Sequence, residues 1–202
     1  MKGGRRFVSL TTQVLLVAIL FLLPSTATAR VKGHANIFLG LKMLDKGDWE
    51  PLEDQPEAGV ELTWGDSLWP ILIATDILRS SDDGTVDAFP IGKIDIEGST
   101  IELDVGMRKI WEKENVRPFL GGGIAVARAK IGFDALGLSF SEDGDGVGAW
   151  IGGGVFWRVG SRVNLGISGR FSSVDVTIDG EDFKAGGSHL GLLLGWGWPA
   201  GN

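Results

Sequence analysis

Residues 101–108 read Ile-Glu-Leu-Asp-Val-Gly-Met-Arg, and apolar and polar residues alternate along this stretch. Successive side chains of a β-strand point to opposite faces, so the alternation predicts a strand with two very different faces. One face carries only apolar side chains, whereas the other carries Glu102, Asp104 and Arg108. A soluble barrel would bury the apolar face and expose the charged one. The connections between strands indicate the opposite arrangement, with the apolar face outermost.

The same period of two recurs along the chain and predicts eight strands in total. They cover residues 35–43, 60–64, 71–77, 101–108, 116–130, 149–159, 163–171 and 190–198. Short turns alternate with long loops, which we place at residues 45–57, 80–99, 132–146 and 176–187. This rhythm is typical of an antiparallel eight-stranded transmembrane β-barrel with both termini at one end. The predicted outer face has charges only towards strand ends, at Arg79, Lys109, Arg128 and Lys130.

The predicted inner face collects charged side chains of both signs. They are Lys42, Glu61, Asp76, Glu102, Asp104, Arg108, Arg117, Arg158 and Arg170. The near balance of charge predicts an interlocked polar network in the lumen, with Lys42 and Glu61 as a cross-strand ion pair. An acid–base or cation site at the lumenal carboxylates is the alternative. We favour the ion-pair network because such networks often imitate functional sites.

Six of the eight Trp residues lie beside a predicted short turn or near the C-terminus. They are Trp64, Trp69, Trp111, Trp157, Trp196 and Trp198. The ring of Trp is apolar and its N–H needs a polar partner, so Trp favours the boundary between membrane and water. Their common position predicts an aromatic girdle at the periplasmic rim of the barrel.

Composition excludes several classes of function. The 202-residue chain has no Cys, only two His and a formal net charge of -7. It therefore offers no thiol chemistry, little for a His-based metal centre and no basic surface for nucleic acid. We expect no cofactor and no resident metal.

Most acidic residues fall in the four predicted long loops. The loops are either simply solvated or attract divalent cations, such as those that bridge lipopolysaccharide phosphates. Residues 143–146, Asp-Gly-Asp-Gly, are interpreted as a hairpin turn, because a calcium loop needs further ligands. Just below the loops, we expect Arg79, Arg128 and Lys130 to contact lipid phosphates.

The first 29 residues have the three parts of a secretory signal peptide. Lys2, Arg5 and Arg6 are followed by an apolar run from residue 14 to residue 23 and by Ala27-Thr28-Ala29. The run is shorter than the roughly 20 residues of a spanning helix, which disfavours an uncleaved anchor. We expect cleavage after Ala29, leaving residues 30–202 as the barrel domain.

Three segments, residues 116–130, 148–176 and 187–198, resemble strands of small outer-membrane β-barrel proteins of the opacity-protein, OmpX and OmpW type. The resemblance implies a monomer in the outer membrane, contacts with membrane lipid and lipopolysaccharide, and insertion by the barrel-insertion machinery. Such barrels usually end on an aromatic residue, whereas Pro199-Ala200-Gly201-Asn202 follow Trp198 here.

Side chains just fill the interior of an eight-stranded barrel. We therefore predict a structural or surface barrel without catalysis. A narrow channel for cations or small apolar solutes is the alternative. A lipid A esterase or acyltransferase is less favoured, because the adjacent Ser188 and His189 point to opposite faces of one strand and His34 lies at the periplasmic end.

Overall fold

The chain folds into a closed ring of eight strands in the computed structural model, which describes residues 31–88, 92–135 and 138–198. The ring order is β1-β10-β7-β6-β5-β4-β3-β2, and all neighbours are antiparallel. The predicted eight-stranded antiparallel barrel is therefore confirmed. The elements are β1 (Val31–Met43), α1 (Lys46–Trp49), β2 (Asp54–Asp66), β3 (Leu72–Ala88), β4 (Gly92–Ile110), β5 (Val116–Ala135), β6 (Leu138–Val159), β7 (Val163–Ser173), β8 (Asp175–Ile178), β9 (Glu181–Lys184) and β10 (Gly187–Trp198).

The first and last ring strands close the barrel and preserve the alternation of faces. The β1–β10 ladder runs from Gly33 opposite Trp198 to Met43 opposite Ser188. Large apolar side chains point outward along the ring, as Ile124 (60% exposed) and Leu192 (62% exposed) illustrate. A belt of this kind is what hydrocarbon-facing strands require, since a charge at the bilayer midplane costs about 2–4 kcal/mol.

Two predictions concern segments outside the described residues and stay predictions. They are the signal peptide at residues 1–29 and the departure of residues 199–202 from the aromatic end that such barrels usually have. Among the described residues, no helix has the length and apolar character needed to cross a membrane.

Four strands are much longer than a membrane crossing requires. β3, β4, β5 and β6 have 17, 19, 20 and 22 residues, whereas about 9–11 residues suffice to cross a bilayer. The segments predicted as loops at residues 80–99 and 132–146 are mainly strand, so that prediction was wrong. Acidic residues on the outer face of these strands, such as Asp83 and Glu97, look like loop residues and hide the alternation of apolar residues on the inner face.

The last predicted loop contains a two-stranded hairpin, β8–β9, that packs into the mouth of the barrel. The buried hairpin side chains Val174, Val176 and Ile178 join one apolar cluster with small residues of β5. Those small residues are Ala125, Ala127 and Ala129. The mouth is thus covered by the chain itself.

Glycines of β6 create the space for this hairpin. A side chain at Gly144, Gly146 or Gly148 would collide with backbone carbonyl oxygens of residues 173–177. Residues 143–146 therefore belong to a strand that another backbone approaches closely, and their interpretation as a hairpin turn was wrong.

Candidate functional site

The lumen contains a compact cluster of ion pairs around Arg170 on β7. Its Nη2 atom donates to Glu61 Oε1 and to Asp76 Oδ2, each at 2.8 Å, and its Nη1 atom donates to Asp104. The three carboxylates come from β2, β3 and β4, on the opposite wall of the barrel. All four side chains are buried, so the contacts between opposite charges take the place of the water that would otherwise surround each charge.

Arg108 on β4 supports the same carboxylates from a second side. Its Nη2 atom donates to Asp76 Oδ2 at 2.7 Å, and its Nη1 atom donates to Thr63 Oγ1 at 3.0 Å and to Glu61 Oε2 at 3.3 Å. The indole ring of Trp150 lies against both guanidinium groups, 5.9 Å from Arg108 and 5.3 Å from Arg170. Aromatic faces attract cations, so the ring helps to hold both guanidinium groups in place.

A second chain of polar contacts lies nearer the mouth. Lys42 Nζ donates to Glu102 Oε2 at 2.9 Å and to Thr100 Oγ1 at 3.0 Å. The predicted ion pair between Lys42 and Glu61 was wrong. In the β1–β2 ladder, Lys42 lies opposite Gln55 and Glu61 lies opposite Asn36, so the curvature of the ring brings Lys42 to β4 instead.

His189 extends this chain towards the rim. Its Nδ1 atom lies 2.9 Å from Glu57 Oε2, and its Nε2 atom lies 3.2 Å from the hydroxyl of Ser172. The order Glu57–His189–Ser172 is that of a hydrolase triad. The Ser172 hydroxyl also donates to Glu102 at 3.1 Å, and Ser172 is only 1% exposed. Ser188, the Ser considered from sequence, lies opposite Phe171 on the outer face.

The remaining predicted lumenal bases, Arg158 and Arg117, are not joined to the central cluster. Arg158 donates to His34 Nδ1 at 3.2 Å and to the Ser161 carbonyl at 3.1 Å, close to the short-turn end. Arg117 lies 3.9 Å from Glu112 and is partly exposed at the same end. The predicted set thus divides into a central group and a group of bases near the short turns. The central group is Lys42, Glu61, Asp76, Glu102, Asp104, Arg108 and Arg170.

The first loop and the β8–β9 hairpin are fastened to each other outside the ring. The Trp49 indole N–H donates to the Lys184 carbonyl at 2.9 Å, and Lys184 Nζ donates to Asp45 Oδ2 at 3.1 Å. The backbone N–H of Lys184 also donates to Asp48 Oδ2 at 2.9 Å. The hydrogen bond from Lys184 holds the pKa of the Asp45 carboxyl below its ordinary value, and the same contact raises the pKa of Lys184. These contacts join the first loop to the β8–β9 hairpin above the lumen, and we call the joined segments the latched cover.

The six predicted girdle residues all lie at the end of the barrel with short turns. Four of them are between 42% and 50% exposed: Trp69, Trp111, Trp157 and Trp196. Trp64 and Trp198 are partly buried, and they flank Gly33 in one row across β2, β1 and β10.

The three predicted lipid-phosphate contacts lie on the outer face at the mouth end. Arg79 and Arg128 flank Ile101 in one row, and Lys130 lies one outward position further along β5. Arg79 and Lys130 are exposed. Arg128 is already engaged, because its guanidinium pairs with Asp143 and lies 3.7 Å from Asp145.

Sequence reasoning missed several lumenal side chains, among them Glu57, Trp150 and Ser172. Each is separated by an even number of positions from a predicted lumenal residue of its own strand and so points to the same face, as Glu57 does with Glu61 and Ser172 with Arg170. Extending the alternation past the predicted strand ends would have found Glu57 and Ser172, and Trp150 lies within the predicted strand 149–159. No group of three or more His, Asp or Glu in the described part of the chain is arranged to hold a metal ion.

A closed eight-stranded ring with an apolar outer belt and a charged, filled lumen defines a small transmembrane β-barrel. Solved structures agree with this class. The chain is similar to Ail, the attachment invasion locus protein of Yersinia pestis, solved with the heparin analogue sucrose octasulfate, at 12% identity and a TM-score of 0.54. The alignment covers 84% of this chain and 99% of that chain.

Two further solved structures share the fold. The outer membrane protein OprG from Pseudomonas aeruginosa is 12% identical, with a TM-score of 0.51 and coverage of 84% of this chain and 95% of that one. A major outer membrane protein from Thermus thermophilus is 11% identical, with a TM-score of 0.50 and coverage of 83% and 98%. No protein-family model and no curated protein matches the sequence. The chain thus has the fold of small eight-stranded outer-membrane β-barrels, as its strands predict.

Proposed function

We propose that this chain is a monomeric outer-membrane barrel that acts through the hairpins it presents outside the cell, without catalysis. The observation that carries the proposal is the contrast between its two ends. The lumen is filled by buried ion pairs and covered by the β8–β9 hairpin, whereas strands β3 to β6 continue well past the apolar belt. A barrel whose strands extend beyond the membrane, and whose lumen is filled with side chains, suits a role at the cell surface better than a role in transport.

Several features support this placement. Long strands and loops of bacterial barrels face the outside, and short turns face the periplasm. The six Trp residues at the short-turn end fit a periplasmic girdle. The similar fold of an attachment protein, Ail, fits a role at the cell surface. Export would use the signal peptide predicted at residues 1–29, and insertion would use the barrel-insertion machinery.

Conduction and catalysis receive less support. A channel would have to pass Arg170, Arg108 and their three carboxylates, all buried and mutually paired. A serine hydrolase would have to reach Ser172 beneath the latched cover.

Single-cysteine labelling tests the surface role cleanly, because the chain has no Cys of its own. We would introduce T85C on the exposed face of the β3–β4 hairpin and, as the matched control, S161C in the exposed turn between β6 and β7. In intact cells of a two-membrane bacterium, a membrane-impermeant maleimide should label T85C, and it should label S161C only after lysis. Labelling of S161C but not T85C would contradict the proposal.

A further inference from the structure

The inner face of the protruding sheet reverses the pattern of the barrel below it. Within the membrane the inner face is charged, whereas above the rim it is mainly apolar and carries Ile94, Ile96, Ile131, Phe133 and Phe140 beside the acids Asp82 and Glu142. The outer face changes in the opposite sense, from apolar side chains to acids. This is the pattern of a sheet that covers something apolar on its inner side.

The chain itself covers only part of this apolar surface. Ile178 and the half-buried Phe183 of the β8–β9 segment pack near it. Phe133 and Phe140 lie opposite each other on β5 and β6 and stay 43% and 63% exposed. Aromatic residues are enriched at protein interaction sites, so two neighbouring exposed rings on one side of a protruding sheet indicate such a site.

A cleft separates the protruding sheet from the β8–β9 hairpin. Its volume is about 250 Å³, which is enough for one or two large side chains. Its apolar lining is Ile131, Phe133, Ile178 and Phe183, and its polar lining is Glu142, Asp179 and Glu181. All the charged lining residues are therefore acidic.

The three acids of this cleft differ from acids nearby. Asp143 is paired with Arg128, and Asp182 accepts a hydrogen bond from Thr177 at 2.8 Å. Among the side chains that the structure describes, none forms an ion pair or hydrogen bond with Glu142, Asp179 or Glu181. A binding site with an apolar floor and an unneutralised acidic rim selects a ligand with apolar and cationic groups side by side.

We propose that this cleft binds a cationic amphipathic peptide segment of a partner protein. One or two large apolar side chains of the segment enter between Phe133 and Phe183, and flanking Lys or Arg residues meet Glu142, Asp179 and Glu181. The charge of the rim disfavours anionic ligands such as lipid phosphates. The inference rests on the proposed surface role, because it names the kind of partner that the exposed end would meet.

Binding of a defined probe to the protein in nanodiscs tests the inference. The probe is a fluorescent peptide of alternating Lys and Leu, and its counterpart has Glu in place of Lys. The nanodiscs contain zwitterionic phosphatidylcholine, and protein-free nanodiscs provide the background. Fluorescence anisotropy should show binding of the Lys peptide that weakens as salt rises, and no binding of the Glu peptide.

Variants locate the binding. F133S combined with F140S should weaken binding of the Lys peptide by about tenfold or more, since the aromatic anchors contribute most of the affinity. E142Q combined with E181Q should weaken binding severalfold and reduce its salt dependence. The matched control removes two acids from the outer face of the same sheet, D83N combined with E97Q, and should bind like the unchanged protein. Heat-modifiable gel mobility confirms that each variant is folded.

Three results would overturn the inference: equal binding of the Glu peptide, unchanged binding in both cleft variants, or an equal loss in the outer-face control. A dimer that buries Phe140 and excludes the peptide would also overturn it, with a second copy as the occupant. Nanodiscs expose both ends of the barrel, so a failure here leaves the surface role intact. Failure of the labelling experiment in cells would contradict the surface role whatever the peptide does.

Discussion

Arg170 joins opposite walls of the barrel through side-chain contacts alone. Its guanidinium reaches Glu61, Asp76 and Asp104, which lie on three consecutive strands across the lumen. A buried ion pair adds little net stability compared with apolar packing, but loss of one partner leaves an unpaired buried charge. The contribution of Arg170 is therefore visible mainly when the residue is removed.

We expect R170M to lower the free energy of unfolding by about 3–5 kcal/mol, because Asp104 would lose its ion-pair partner and Glu61 and Asp76 would keep only Arg108. Urea unfolding in lipid vesicles, followed by Trp fluorescence, measures this change. R128M is the matched control, since its ion pair with Asp143 is half-exposed and contributes only about 0–1 kcal/mol. Equal losses in the two variants would show that the lumenal cluster is not an interdependent unit.

The contact between Asp45 and Lys184 has a defined pH range. The pKa of Asp45 lies below its ordinary value of 3.8, so this contact stabilises the latched loops above that value and is lost as the pH falls through the lowered pKa. The pKa of Lys184 is raised, so the contact is also lost as the pH rises through that value.

We expect K184Q to raise the pKa of Asp45 towards 3.8, because the charged donor is removed. Carbon NMR of the Asp45 carboxyl as a function of pH measures the shift. K46Q serves as control, since Lys46 is exposed on the same loop and lies 3.5 Å from Glu53 instead. An unchanged Asp45 titration in K184Q would mean that the two loops are not latched in solution.

Arg79 and Lys130 are exposed bases beside the apolar belt at the mouth end, and unlike Arg128 they have no ion pair with a described side chain. Exposed ion pairs contribute up to about 1 kcal/mol each, so R79Q combined with K130Q should reduce co-purified lipopolysaccharide by roughly tenfold. Quantification of lipopolysaccharide phosphate per protein measures the effect. The control R162Q removes an exposed base at the opposite end of the barrel and should have no effect. Equal lipopolysaccharide in all three proteins would exclude these contacts.

At the scale of elements, the β8–β9 hairpin depends on glycines in another strand. Backbone carbonyls of residues 173–177 lie where side chains of β6 would otherwise project. In return, Val174 and Val176 bury their side chains against small residues of β5. The hairpin therefore docks by close backbone approach rather than by a hydrogen-bonded ladder within the ring.

We expect G146V to release the hairpin, because its side chain would collide with the Asp175 carbonyl. Limited proteolysis of the protein in nanodiscs should then cut between residues 174 and 186, while the ring stays heat-modifiable. G132V is the control: a side chain there meets only ordinary contacts at 3.8 Å or more. Resistance of G146V to cleavage would show that the hairpin docks in another way.

The ring strands and their faces could be predicted from the sequence, whereas the partners of lumenal side chains could not. Alternation determines which way Lys42 points, but closure of the sheet determines that it meets Glu102 rather than Glu61. The parts of β3 to β6 beyond the membrane were not predicted as strands. Their outer faces carry acidic residues instead of the apolar residues by which a membrane-spanning strand is recognised. The docking of β8 could not be predicted, because three glycines are equally consistent with a turn.

At the scale of the whole molecule, the chain consists of three zones along the barrel axis. Trp residues and short turns mark one end, an apolar belt surrounds the ion-paired lumen, and a latched, acidic extension forms the other end. This division suits the proposed role of the extension at the cell surface. The central claim is that the ring is embedded in the outer membrane as a folded barrel.

Separation of the two membranes, followed by gel electrophoresis with and without heating, tests that claim most directly. Folded barrels resist dodecyl sulfate until they are heated, because every backbone group of the ring is paired. We predict that the protein is found in the outer-membrane fraction, is released only by detergent, and changes its gel mobility on boiling. Release by salt or alkaline washing without detergent, with the same mobility before and after boiling, would contradict the account.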